Sequence, residues 1–165
     1  MTAVEPDQAK ARRRTLAKQA FNHTWDLIGS GERTPDDDRE MLFSAAASRF
    51  LCEEVGGEQE RGIGDWQIAH LLSLLGDGEQ ALGFASEALR RVESNGWEDW
   101  RKASCLQGMA RASAVLGPAD ERDRYAALCR ELIARFKEPE EREIVGSQLD
   151  SIEGVERTDP ATPSS

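Results

Sequence analysis

Any chemistry in this chain has to come from a short set of side chains. There are two imidazoles, His23 and His70, and three thiols, Cys52, Cys105 and Cys129. A thiol becomes a nucleophile when an imidazole within hydrogen-bond reach takes its proton, and sequence spacing pairs no His with Cys52 or Cys105. Metal binding needs ligands at fixed intervals, and HExxH, CxxC and Glu-x-x-His are all absent. Three consecutive acids, Asp36, Asp37 and Asp38, have the composition of a cation site. They follow Thr34-Pro35, however, and helix-start chemistry accounts for them: a Thr N-cap, Pro at the first helical position and acids complementing the N-terminal dipole. A GxxxxGK phosphate loop is missing, and Gly62-Ile63-Gly64 reads as a break at a helix start. The sequence predicts no catalytic residue, no metal site and no cofactor.

Composition narrows the classes further. At 165 residues the chain is long enough for one domain with a real core, and 39% hydrophobic against 32% charged residues suits amphipathic helices rather than disorder. A formal charge of -10 repels phosphate backbones and anionic membrane surfaces, which argues against a nucleic-acid or membrane partner. The one basic run is Lys10, Arg12, Arg13, Arg14 and Lys18, read either as a local contact for an anion or as the solvated side of a first helix. No stretch approaches the roughly 20 apolar residues needed to span a bilayer. Three widely spaced cysteines and no charged-then-apolar leader predict a soluble cytoplasmic protein with reduced thiols.

Seven helices are needed to carry these residues. Apolar periodicity and end signals place the first at about 8–28, before Gly29-Ser30-Gly31, and the second from Pro35 to Val55, before Gly56-Gly57. The third starts at 59 or 64 and stops at Gly76, and the fourth begins from Asp77 and closes at Asn95-Gly96. The fifth spans about Trp97 to Leu116, the sixth carries Tyr125 through Phe136, and Pro139 opens the seventh, with Ile144, Val145, Leu149 and Ile152. No run alternates with period two, so the class is all-α. Residues 1–7 are expected to be a flexible start, 8–153 a single helical domain and 154–165 a disordered tail.

An internal repeat organises these helices. At an offset of 41 residues, Phe43, Phe84 and Tyr125 superpose, as do Ala47, Ala88 and Cys129, then Leu51, Val92 and Ile133. The same offset relates Ile68 to Met109, Ala69 to Ala110, Leu75 to Leu116 and Gly76 to Gly117. It fails in the first helix, where the loop from Gly29 to Asp38 is longer.

In Ala69, Leu75-Gly76-Asp77, Ala81, Phe84, Ala85 and Ala88, with small residues where paired helices touch and Gly at the turn, the chain resembles the tetratricopeptide repeat (TPR) family over about residues 15–136. Three features depart from that pattern: the period exceeds the usual 34 or so, Arg122 stands where Ala81 would recur, and no Pro closes the middle repeat. The segment from Asn22 to Trp25 is also similar to one in bacterial proteins of unknown role, which adds no function. The TPR resemblance implies a right-handed stack of three antiparallel helical hairpins, a TPR-like α-solenoid, closed by a C-terminal capping helix.

Its implied function is protein binding. Family ligands lie in the concave groove lined by the first helix of each hairpin, and carrying that pattern over selects Trp66, His70 and Ser73, then Gln107 and Arg111 at matching places. His23 joins them if the first helix aligns through Gly29. Trp66 and His70 share a helix face, and His70 and Arg111 would sit side by side, able to hold a carboxylate or a peptide end. The alternative is structural: Trp66 in the core, His70 on a local hydrogen bond and Arg111 on a nearby acid. The Lys and Asn set of the family's carboxylate clamps is missing. Trp97 and Trp100 at the start of the fifth helix are an interface anchor or seam packing. The leading expectation is a protein- or peptide-binding module, as monomer or homodimer; its rival is a small-molecule sensor or enzyme with a pocket around the histidines.

Overall fold

The computed structural model describes residues 6–155, which form seven helices, with no strand among the described residues. They are α1 (Pro6–Gly29), α2 (Pro35–Val55), α3 (Glu58–Leu74), α4 (Gly78–Ser94), α5 (Trp100–Leu116), α6 (Ala119–Ile133) and α7 (Pro139–Asp150). The flexible start and tail expected from composition fall largely on 1–5 and 156–165, outside the described residues. Val155, placed in that tail by the sequence, is buried against the last core cluster. None of the described helices is long and apolar enough to cross a membrane.

Local chemistry fixes most boundaries. Before α2, the Thr34 hydroxyl accepts the Asp37 amide while the Asp37 carboxylate accepts the Thr34 amide, so two end donors are satisfied reciprocally. Asp77 accepts the Gln80 amide ahead of α4, and the Gln80 side chain reaches back to the Asp77 carboxylate. Gly117 ends α5 at φ +107°, a left-handed conformation that a side chain would strain. Two expectations fail. Helix α5 begins at Trp100 rather than Trp97, because Asp99 caps it by accepting the Arg101 amide. Gly62-Ile63-Gly64 lies inside α3, which starts at Glu58 with the Glu60 carboxylate accepting the Gly57 amide. Gly64 is needed there for space: a Cβ would stand 2.8 Å from Cδ of Arg49 on α2.

Helices next to each other in sequence pack together, and α3 also meets α5, and α5 meets α7. Helix α5 therefore has neighbours all round and is buried without interruption from Ala103 to Ser113. Leu106 and Ala110 meet Ala126, Cys129 and Leu132 of α6 and Val145 and Leu149 of α7. Each large aliphatic buried there contributes about 1.5–3 kcal/mol.

The repeat holds between the middle and last pairs, since Ala85 and Ala88 of α4 and Ala126 and Cys129 of α6 are all buried. It slips in α2. Ala45 and Ser48 take the buried small positions there, leaving Phe43 and Ala47 exposed. One residue of slip turns a helix by about 100°, enough to exchange an inward side chain for an outward one.

Candidate functional site

Five of the six residues selected for a groove lie in the interior. On α3 and α5, the Trp66 indole Nε1–H donates to Gln107 Oε1 at 3.2 Å, and Trp25 of α1 covers both Trp66 and His70 at ring separations of 5.3 and 5.2 Å. Gln67 donates to the Phe21 carbonyl, fixing α1 on α3. At the far end Arg111 reaches α7, where its guanidinium donates to the Gln148 carbonyl at 2.8 Å and the Ser151 hydroxyl at 2.7 Å. A cation at a helix C-terminus is stabilised by the dipole, so Arg111 needs no acid there. Ser73 donates to Ala69 one turn back in its own helix. Trp25 and α7 thus close the two ends, and Trp66, His70, Ser73, Gln107 and Arg111 are buried instead of lining an open groove.

His23 goes elsewhere. It is exposed, with Nε2 2.6 Å from the Glu40 carboxylate of α2, so alignment through Gly29 gives the wrong neighbour for His70 and Trp25 takes that place. A pocket around both histidines does not form. Burial, then the Arg111 charge, pushes the His70 imidazole down to about 3, and burial lowers Arg111 to about 10. His70 is accordingly neutral and Arg111 cationic near neutral pH. His70 Nδ1, Gln107 Nε2 and Arg111 Nε have no hydrogen-bond partner within the protein.

Trp97 and Trp100 are both half-buried, with the Arg101 guanidinium 4.1 Å over the Trp97 ring. The gap they share with Trp66 is about 10 Å³, no more than one small water. Cys105 and Cys129 are buried and pushed up to about 12, mainly by desolvation, so neither is a thiolate. Among the described residues no group of three or more His, Cys, Asp or Glu is placed to hold a metal ion.

An open site lies between α1, the C-terminal half of α2 and the start of α3. It is a cleft of about 300 Å³ walled by Ala17, Phe21, Cys52, Val55 and Ile63, with Arg14 and Lys18 on its α1 side and Glu60 on its α3 side. Small side chains line it at Ala17, Ser48 and Cys52. Two bonds hold the walls: the Ser48 hydroxyl donates to the Ala17 carbonyl at 2.9 Å, and Arg14 donates to the Val55 carbonyl at 3.0 Å. Burial, then Glu60, raises the Cys52 thiol, which stays protonated on the wall. Arg14 and Lys18 of the basic run are exposed, as on a solvated helix side; the empty volume between them and Ile63 had no sequence signal.

Beside the cleft, Asp65 of α3 is nearly inaccessible and lies between two arginines. Its carboxylate accepts from Arg49 of α2 at 2.6 Å and from Arg91 of α4 at 3.1 Å. Glu53, Glu58 and Glu87 neutralise the rest of those guanidinium charges. With both oxygens engaged this network joins α2, α3 and α4. Compared with family models, curated proteins and solved structures, the chain matches none.

Proposed function

We propose that this chain is a binding module of TPR-like stacked hairpins that holds a peptide segment of a partner protein in the cleft between α1, α2 and α3. The order of packing supports the stack: each pair meets the next, and α3, α5 and α7 lie against one another in turn. The observation that carries the binding reading is the cleft itself, open, walled by apolar groups and edged by Arg14 and Lys18 across from Glu60, in a chain of charge -10. Apolar walls with a few polar groups at the rim are the usual make-up of a recognition site. The peptide it suits has one large apolar side chain with acidic residues beside it, the apolar group entering between Phe21 and Ile63 and the acids meeting Arg14 and Lys18. The cleft's volume also sits at the lower edge for small molecules, so a second reading is a small amphipathic carboxylate in the same place.

A displayed random-peptide selection on the native chain tests this, with Lys18→Glu and Ile63→Gln as counter-screens. Acidic-apolar peptides are expected to be enriched and to bind each variant at least ~10-fold more weakly, about 1.4 kcal/mol. Bound peptide should also slow maleimide labelling of Cys52, the one thiol of the three that is not fully buried. Peptides that bind both variants as tightly as the parent would exclude the cleft. Medium-chain carboxylates that protect Cys52 where no peptide does would favour the second reading.

A further inference from the structure

The outer face of α2 is turned directly away from its buried residues Met41, Ala45 and Ser48. Along it lie Arg39, Phe43, Ala46, Ala47, Phe50 and Glu54, spaced at three, four and seven residues and so on one stripe. Phe43 is 68% exposed and Phe50 71% exposed, the two largest exposures among the large hydrophobics of the described residues. The repeat does not require this, because Phe84 and Tyr125 are only partly exposed and pack against core clusters. The one-residue slip in α2 is what turns Phe43 outward.

We infer that this face pairs with the same face of a second copy of the chain, the two α2 helices running antiparallel. The order of side chains argues for that occupant over an unrelated helix. From the helix N-terminus it runs cation, phenyl, two small residues, phenyl, anion, and it has the same size pattern read from the other end. A twofold axis passing between Ala46 and Ala47 sets Phe43 of one copy against Phe50 of the other, and Arg39 against Glu54, twice over. The two alanines at the axis allow the helices to approach closely, and the four phenyl rings cover one another. The present partners of Arg39 and Glu54, Asp36 and Arg13, are exposed pairs of little strength and are readily exchanged. The remaining acids near the stripe, Glu40 and Glu53, lie off its centre and are held by His23 and Arg49. The cleft is on the opposite side of α2, so pairing leaves it open.

Sedimentation equilibrium over a wide concentration range is the test. The native chain should show a mass that doubles with concentration, and F43S/F50S should stay monomeric. R39E and E54R should each associate at least ~10-fold more weakly alone. Mixed in equal amounts they should recover the native affinity, because the mixed pair restores both charge contacts. A native chain that is monomeric up to about 1 mM overturns the inference. A dimer that survives F43S/F50S, or single-charge variants that mixing does not rescue, overturns the assigned face and register. None of these outcomes alters the Cys52 labelling that reports the cleft.

Discussion

The first two helices and the last five follow the same apolar periodicity but use it differently. In α5 every residue from Ala103 to Ser113 is buried, and its neighbours α6 and α7 meet it through aliphatic and small side chains. In α1 only Ala17 and Thr24 are buried. Hydroxyls do much of the joining there: Thr24 bonds Ser44 at 2.7 Å, and Ser48 bonds the Ala17 carbonyl. Close packing excludes ligand, whereas a seam of small polar residues leaves volume and allows outward apolar side chains. The difference sets the densely buried α5 and its neighbours against α1 and the outer side of α2, where the proposed cleft and pairing face lie.

The largest effect should come at the joint between the two regions. Asp65→Ala leaves Arg49 and Arg91 largely buried without their shared carboxylate, and removing one partner from such a pair costs about 3–5 kcal/mol. Urea denaturation should show that loss in the midpoint; a change below about 1 kcal/mol would mean that water or Glu53 and Glu58 compensate fully. Within the C-terminal body, Leu149→Ala removes a fully buried side chain from the α5–α7 contact and should cost about 2–5 kcal/mol. If the N-terminal pair is the more loosely held, Leu149→Ala should also lower the midpoint more than Ala substitution of any apolar side chain of α1.

The seven helices were legible because their ends carry local chemistry, as Thr34-Pro35, Gly76-Asp77, Asn95-Gly96 and Gly117-Pro118 show. What failed depended on other helices. Gly62 and Gly64 look like breaks until Arg91 and Arg49 are seen lying across them. The buried face of α2 runs through Met41, Ala45 and Ser48, one residue off the repeat, so an alignment of aromatics missed it. The repeat offset does bring α3 and α5 together, so that Trp66 bonds Gln107 and the Arg111 charge acts on His70, while His23, placed with them by the sequence, lies on Glu40. The structural alternative already had Trp66 in the core; what covers these residues, Trp25 and the backbone of α7, was not legible. The cleft is defined by absent side-chain volume, which no residue pattern reports.

Acid should sharpen the comparison from the other side. His70 titrates at about 3 in the fold against 6.5 as the ordinary value, so the unfolded chain takes up this proton first as pH falls. From His70 alone, stability should be unaffected above 6.5 and decline below it by up to about 1.4 kcal/mol per pH unit, until the folded value near 3 is reached. The difference in midpoint between the native chain and His70→Gln, followed from pH 7 to 4.5, isolates this group from the carboxylates. A constant difference across that range would show that His70 is solvated in the fold, and that Trp25 does not seal the seam.

The smallest effect is expected on the outer face of α2. Phe50→Ser removes a large side chain, yet in the isolated chain most of its ring already contacts water and little burial is lost. Substitutions at such places usually change stability by no more than about 0.5 kcal/mol. Measured below the concentration at which copies associate, Phe50→Ser should therefore unfold at nearly the native midpoint. Above that concentration the native chain should gain stability by mass action and the variant should not, so the gap between them should widen with concentration. A gap that is large at every concentration would mean that Phe50 packs within its own chain, and α1 and α2 would then resemble the rest of the molecule instead of contrasting with it.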